Sequence, residues 1–355
     1  ELKKIFMVIV QPYYFWKGHY KKYCDSLSKN CIKIRAGKEV KFYFKSYNKN
    51  FIYYSLSRIT NNIACILFLL RVIIQKKNIS TVHFLEFEPL SFLFFLFINL
   101  FFRKKIIVTI HATKINSSSI PYLVKLFQRL IFYSNILILN IFKCKLVVHK
   151  KIDKVNLKKF FYKEIIILDY PSEKLNSPNT KKYKKNFKLL IFGQIRKDKG
   201  IENFFRNNAI NKKFEITLAG EVENINFWKN LSKKRNIKIY NKFISNKFLK
   251  KLILSHDFNF LPYSKFYTGS AGPLKLSMSY GQPVICSNIP IFREFINKND
   301  VGFLYSENIF KKLLSLKKNQ YKKMSYNCMK YCLSNNFDNF YNRYNKIYKK
   351  FTPIN

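Results

Sequence analysis

The sequence predicts an α/β protein made of two doubly wound parallel-sheet domains. Two series of short apolar segments alternate with longer helical patterns, an order that places strands in a parallel sheet with helices on both faces. A polar, lysine-rich stretch, SEKLNSPNTKKYKKNFK at 172–188, separates the two series and reads as a linker. With 355 residues, 48% of them hydrophobic, the chain has material for two ordinary cores.

In the first series the apolar runs predict strands at Lys4–Val10, Val40–Tyr43, Thr81–Phe84, Ile106–Ile110, Leu146–Val148 and Ile165–Leu168. Helices are expected between them, for example over Gly18–Ser28, Arg58–Gln75 and Ile120–Phe132. The opening run ELKKIFMVIVQPYYF has no small-residue cleavage site and reads as a first strand, not a signal peptide. The second series predicts strands at Leu189–Phe192, Phe214–Ala219, Ile237–Tyr240 and Asp257–Leu261, with Ile285 in the last clear strand. Helices are expected from Ile201, over Asn246–Leu254, over Ile291–Ile296, and through the tail from Asn319.

Composition narrows the partners. The formal net charge is +47, yet only ten of the 66 basic residues are Arg. Lys, Asn, Ile, Phe and Tyr are abundant together, as in chains from AT-rich genomes, so part of the charge is compositional. Such a chain is still drawn to anionic surfaces. The basic residues are spread along its length with no helix-turn-helix, zinc-finger or RNA-recognition signature, which argues against nucleic acid. The seven Cys, at 24, 31, 65, 144, 286, 328 and 332, are odd in number and scattered, which suggests reduced thiols in the cytoplasm. No Asp-x-Asp or His/Cys cluster offers a metal site.

Three apolar stretches end in basic groups: Cys65–Ile74 before Lys76 and Lys77, Pro89–Phe102 before Arg103, and Leu130–Phe142 before Lys143. Pro89–Phe102 is about 14 residues long, too short for a bilayer, which needs ~20. Buried helices account for all three runs. Their Phe content and basic flanks also fit peripheral attachment to an anionic membrane surface.

Two loops carry the chemistry. In TGSAGPLKLSMSYGQPVIC, 268–286, a small-residue loop leads into a helix with Pro273 in its first turn, and Gly281 follows the helix end. Free N–H groups at such a helix start suit an anion at Ser270, Ala271 and Gly272. In FGQIRKDKG, 192–200, Gly193 lets the backbone approach a ligand closely, while Arg196 and Lys199 can reach an anion above the strand ends. Together the loops would enclose a diphosphate from two sides.

These residues resemble the C-terminal domain of the retaining group 1 glycosyltransferases of GT-B fold. Five landmarks match in order: Phe192–Gly200, Ala219-Gly220, Phe260–Tyr263, the G-x-P-V-I of Gly281–Ile285, and Glu294. More weakly, PYYFWKGH at 12–19 resembles the family's loop after its first strand, and Thr109–His111 its strand ending in His. The resemblance implies two Rossmann-like domains facing across a cleft. Residues 1–172 would bind the acceptor and associate with the membrane, 173–187 would link the domains, and 188–335 would bind the nucleotide sugar. Residues 336–355 would form a C-terminal helix packing back on the first domain.

The implied activity is transfer of a sugar from a nucleoside-diphosphate sugar to a glycan or lipid-linked acceptor. The setting would be bacterial surface polysaccharide or glycolipid synthesis, at the inner face of the cell membrane. His111, Arg196 and Lys199 would be catalytic. Gly193, Arg196, Lys199, Ser270, Ala271 and Gly272 would hold the diphosphate, and Thr268, Gly269 and Glu294 the donor sugar or ribose. Gly18, His19, Glu86 and Glu88 would lie on the acceptor side, and no metal or cofactor is expected. One departure stands out: the family's two Glu, eight residues apart, are replaced by Thr268 and Leu276. That change leaves room for a non-catalytic scaffold that binds a nucleotide sugar or a membrane. A basic nucleic-acid binder is the remaining alternative, on charge alone.

Overall fold

Parallel pairing explains why the strands read as short unbroken apolar runs. In the computed structural model the inner strands, such as Met7–Gln11, Thr81–Phe84 and Phe258–Leu261, are covered on both faces, so both sides of their pleat are buried. The structure describes all residues except 1–6, 17, 28–30, 45–50, 112, 114–121, 174–186, 209–210, 266, 268–271 and 352–355. The chain divides into two compact units, Glu1–Tyr170 with Phe337–Asn355, and Pro171–Asn336.

The first unit runs β1 (Met7–Gln11), α1 (Gly18–Ser26), β2 (Ile32–Arg35), α2 (Phe51–Gln75), β3 (Thr81–Phe84), α3 (Pro89–Phe102), β4 (Lys105–Ile110), α4 (Tyr122–Ile138), β5 (Cys144–Val148), α5 (Lys151–Leu157) and β6 (Ile165–Ile167). Its six-stranded sheet has the order β2-β1-β3-β4-β5-β6, all pairs parallel, with Val8 beside Ile32 and Val82, and Val82 beside Ile106. Alternate residues face opposite sides. Val8, Val10, Phe84, Val108 and Leu146 share one core with Cys65 and Leu69 of α2, Phe92 and Phe95 of α3, and Ile136 of α4. Ile9, Ile107 and Val147 face the other way, toward Tyr23 and Cys24 of α1 and toward Phe340, Tyr344 and Tyr348.

The second unit runs β7 (Lys188–Phe192), α6 (Ile201–Asn207), β8 (Glu215–Ala219), α7 (Ile225–Lys234), β9 (Ile237–Tyr240), α8 (Asn246–Ser255), β10 (Phe258–Leu261), α9 (Gly272–Met278), β11 (Val284–Cys286), α10 (Pro290–Asn299), β12 (Gly302–Leu304), α11 (Ile309–Leu314) and α12 (Lys318–Ser334). α13 (Phe337–Phe351) then returns to the first unit. The second sheet has the order β12-β11-β10-β7-β8-β9, again all parallel.

Two sequence expectations are corrected. Val40–Tyr43 is not a strand; the second strand is β2, Ile32–Arg35. Gly37, at φ +83°, turns the chain, Val40 makes only an isolated bridge to Ala36, and residues 41–44 are exposed. β2 escaped notice because Lys33 and Arg35 interrupt its apolar pattern, as charges commonly do on an edge strand. The sheet also does not end at the strand holding Ile285: β12 pairs beyond it, with Gly302 against Val284. A Cβ at Gly302 would stand only 1.9 Å from the Val284 carbonyl oxygen, so this close pairing needs glycine.

Candidate active site

Both sheets have a switch point, where successive connections leave a strand pair in opposite directions and open a crevice at the strand C-termini. In the second unit it lies between β7 and β10, so the loops after these strands are neighbours. After β7, Gly193 turns at φ +90° and its N–H donates to the Ala219 carbonyl over 2.9 Å. Lys197–Lys199 then forms a 3-10 turn that Gly200 ends at φ +70°, against Ser264. Lys199 is buried, its ammonium donating to the Gln194 carbonyl and lying 5.4 Å from the Tyr263 ring centre. Arg196 is exposed, and its Nη1 donates to Gln194 Oε1 over 3.3 Å. The two cations thus occupy one loop in different states, Lys199 locked into its base and Arg196 at its surface.

α9 begins beside this loop. A Cβ at Gly193 would meet Pro273 Cγ at 3.6 Å, and Gly272 is exposed at the helix start. Asn259, inside β10, donates from Nδ2 to the Pro273 carbonyl (3.0 Å) and to Ser277 Oγ (3.1 Å), tying the helix start to the sheet. Sequence reasoning passed over Asn259, although a lone amide in the apolar run Phe258–Leu261 is itself a signal, since buried polar groups need partners. Thr268, Gly269, Ser270 and Ala271 lie outside the described residues. Glu294 is exposed on α10, which follows β11, one strand further from β7.

In the first unit the switch point lies between β1 and β3. Gly18 and His19 open α1 after the β1 loop. That loop is held by Tyr13, whose hydroxyl accepts from Arg58 Nε (3.0 Å) and Asn62 Nδ2 (2.8 Å). Burial pushes the Tyr13 phenol up to about 12. Asn62 Oδ1 in turn accepts from the Glu88 N–H over 3.1 Å, so one buried α2 amide fastens the loops after β1 and β3 together. Neither Tyr13 nor Asn62 was singled out from sequence.

His111, just past β4, stands 3.3 Å from Glu86 Oε1 and 3.2 Å from the Leu85 carbonyl, both measured from Nε2. Both neighbours only accept, so Nε2 carries a proton. Its ring lies 4.8 Å from that of His149, after β5. Glu88 has a different task. It caps α3, its carboxylate accepting from Leu90 N (3.1 Å) and from Ser91 N and Oγ (2.8 Å each). The structure therefore joins His111 to Glu86 and gives the Glu88 carboxylate to a helix start.

Behind His111 runs a buried polar network. His149 Nδ1 donates to the Leu168 carbonyl over 2.7 Å. His83 bonds the Tyr348 hydroxyl (2.7 Å) and Thr109 Oγ1 (2.9 Å), and Tyr344 bonds Thr109 and Tyr23 (2.8 Å each). α13 is thereby latched to the sheet by two tyrosines. Burial, with a smaller contribution from His111, holds His83 and His149 down to about 3. Each is neutral when folded but takes up a proton near pH 6.5 when unfolded. Stability from the pair is complete above pH 6.5 and is lost as pH falls toward 3, by about 1.4 kcal/mol per unit for each ring. We expect a steep fall in melting temperature between pH 7 and pH 5 that His83→Gln with His149→Gln flattens. An unchanged slope in the double variant would contradict this assignment.

Among the described residues no group of three His, Cys, Asp or Glu side chains is placed to hold a metal ion.

Residues 172–331, nearly the whole second unit, match the family described as glycosyl transferases group 1. No curated protein matches the chain. Among solved structures, HepE from Anabaena in complex with UDP is 9% identical, with 97% of this chain and 99% of that one covered and a TM-score of 0.65. A glycosyltransferase from Rickettsia africae is 16% identical, covering 99% and 100%, with a TM-score of 0.61. WaaG, a glycosyltransferase involved in lipopolysaccharide biosynthesis, is 12% identical, covering 98% and 100%, with a TM-score of 0.61. At such identities the likeness is one of fold, and it extends over both units. The second unit therefore carries a group 1 glycosyltransferase domain, and the chain as a whole has the GT-B fold of the glycosyltransferase structures it resembles.

Proposed function

We propose that the chain moves a sugar, with retention, from a nucleoside-diphosphate sugar to a glycan or lipid-linked acceptor. The setting we propose is the inner face of a bacterial cell membrane, in surface polysaccharide or glycolipid synthesis. The observation that carries the donor reading is the switch-point crevice of the second unit, where the Arg196–Lys199 loop adjoins the start of α9. A diphosphate leaving group gains charge as the glycosidic bond breaks. Cations and N–H groups fixed in advance stabilise that charge most in the transition state. Arg196 and Lys199 are the groups we assign to it, and the scheme calls on no metal. His111, oriented by Glu86, is assigned to the sugar-transfer side, with His19 toward the acceptor. The reading is supported by HepE, a protein of like fold solved with UDP and with UDP-glucose, and by WaaG, named for lipopolysaccharide biosynthesis.

A second reading, a scaffold that binds a nucleotide sugar without turnover, rests on α9. The family's second Glu position is Leu276, whose side chain packs into the smaller core of the unit beside Leu252 and Ile253. One experiment separates the two. Saturating UDP or GDP, or a sugar conjugate of either, is expected to raise the melting temperature by several degrees, since ligand at 100 times Kd adds about 2.7 kcal/mol. Release of nucleoside diphosphate from the sugar conjugate then supports the enzyme. A thermal shift without release supports the scaffold, and no shift with any nucleotide would overturn both.

A further inference from the structure

We propose that the outer face of α2, α3 and α4 is a docking surface for an anionic lipid bilayer, with the helices lying in the interface and not crossing it. All three helices pack on the same side of the first sheet, because their buried residues enter one core. α3 touches both of the others, so their outward faces form one layer. On α3 the outward stripe is Leu90, Phe94, Phe97 and Phe101, at the three- and four-residue spacing of a single helix face, and Phe101 is 88% exposed. α2 adds Leu56, Ile63, Leu67 and Ile74, and α4 adds Leu123, Phe127 and Leu130, all exposed. A water-facing helix layer would carry polar groups at these positions.

Charge selects the occupant. None of the three helices contains an Asp or Glu, while Arg71, Lys76, Lys77, Arg103 and Arg129 are exposed on or just beyond them. Phenylalanine and leucine flanked by cations, with no acid inside the helices and Glu88 only at the α3 cap, is the pattern of a helix face that enters the headgroup region of acidic lipid. α2 has the length and composition of a membrane span, but its opposite stripe, with Asn61, Asn62, Cys65, Ile66 and Leu69, is buried in the first unit. A core helix of this kind can lie on a bilayer and cannot leave the sheet to span one.

The position suits the acceptor. Glu86 and Glu88 lead straight into α3, whose apolar stripe begins at Leu90, and His111 meets Glu86 at that end. A lipid-linked acceptor resting on the stripe would present its head beside Glu86 and His111; this last step rests on the function proposed above.

The test uses flotation of the whole protein with vesicles of phosphatidylcholine alone or with 30% phosphatidylglycerol, without donor or acceptor. The wild type is expected to float with the acidic vesicles, less so in high salt, and the Phe94→Ser/Phe97→Ser/Phe101→Ser variant to lose at least tenfold in partitioning. Arg71→Glu/Lys77→Glu/Arg103→Glu, which leaves the apolar face intact, is expected to lose the preference for acidic lipid. Both variants should keep the wild-type shift in melting temperature with nucleotide, so failure here is distinguishable from failure of the donor reading. Absence of binding to either vesicle would overturn the proposal. So would a wild-type dimer in solution that the phenylalanine variant dissolves without any vesicle binding, since the face would then cover a second copy.

Discussion

Arg196→Ala is expected to lower kcat/KM for the nucleotide sugar by roughly 10²–10³, the range found when one preorganised donor to a developing charge is removed. Arg196 is exposed at the surface of its loop, so the variant should melt within about 0.5 kcal/mol of the wild type. The loss should fall mainly on kcat, because charge on the leaving diphosphate is greatest in the transition state. Arg196→Lys should recover part of it: a point charge returns but the planar fork does not. Lys199 is a poorer probe. Its buried ammonium braces Gln194 and its own carbonyl accepts from Ser264 N–H over 2.6 Å, so Lys199→Ala would mix lost charge with a collapsed turn. Steady-state kinetics of Arg196→Ala within threefold of the wild type would remove the loop from the proposed chemistry.

Gly220→Ala is expected to destabilise the second unit by about 2–4 kcal/mol and to impair donor turnover more than tenfold. Gly220 ends β8 at φ +143°, a conformation that side-chain-bearing residues rarely adopt. A Cβ there would stand 2.2 Å from the Gly193 carbonyl oxygen and 2.7 Å from its carbon. Neither backbone can yield cheaply, because Gly193 N–H bonds Ala219 and Gly220 N–H bonds Tyr240. The turn that launches the Arg196 loop would therefore move. Gly272→Ala is the stability control, since among the described residues nothing beyond its chain neighbours and its own helix backbone lies within 4 Å of its Cβ position. Equal melting temperatures for the two variants would contradict the argument.

These cases show which parts were legible beforehand. Ile106–Ile110 and Leu189–Phe192 fall within β4 and β7, because buried parallel strands are marked by their own largely apolar runs. Arg196 and Lys199 were legible because a loop between a strand and a helix announces itself in glycine and charge. Asn259, Asn62 and Tyr13 were not. Each is a polar group whose partner lies 14 to 49 residues away, at Pro273 or between Tyr13 and Asn62, and no local pattern pairs them. Glu88 reads in sequence as an acceptor-side acid, and only the Leu90 and Ser91 amides show that its carboxylate caps a helix.

By itself the sequence determined the fold class, most strands and the places of the loops after β7 and β10, because periodicity, turn residues and helix-start signals act within a few residues. Tertiary structure decided how they combine. It set β7 beside β10, so that Gly193 meets Pro273, and it set Glu86 against His111. It also gathered three separate apolar helices onto one side of one sheet. The physical reason is that strand order and shared burial are decided by long-range packing, in which each segment competes for the same core, and no window of sequence contains that competition.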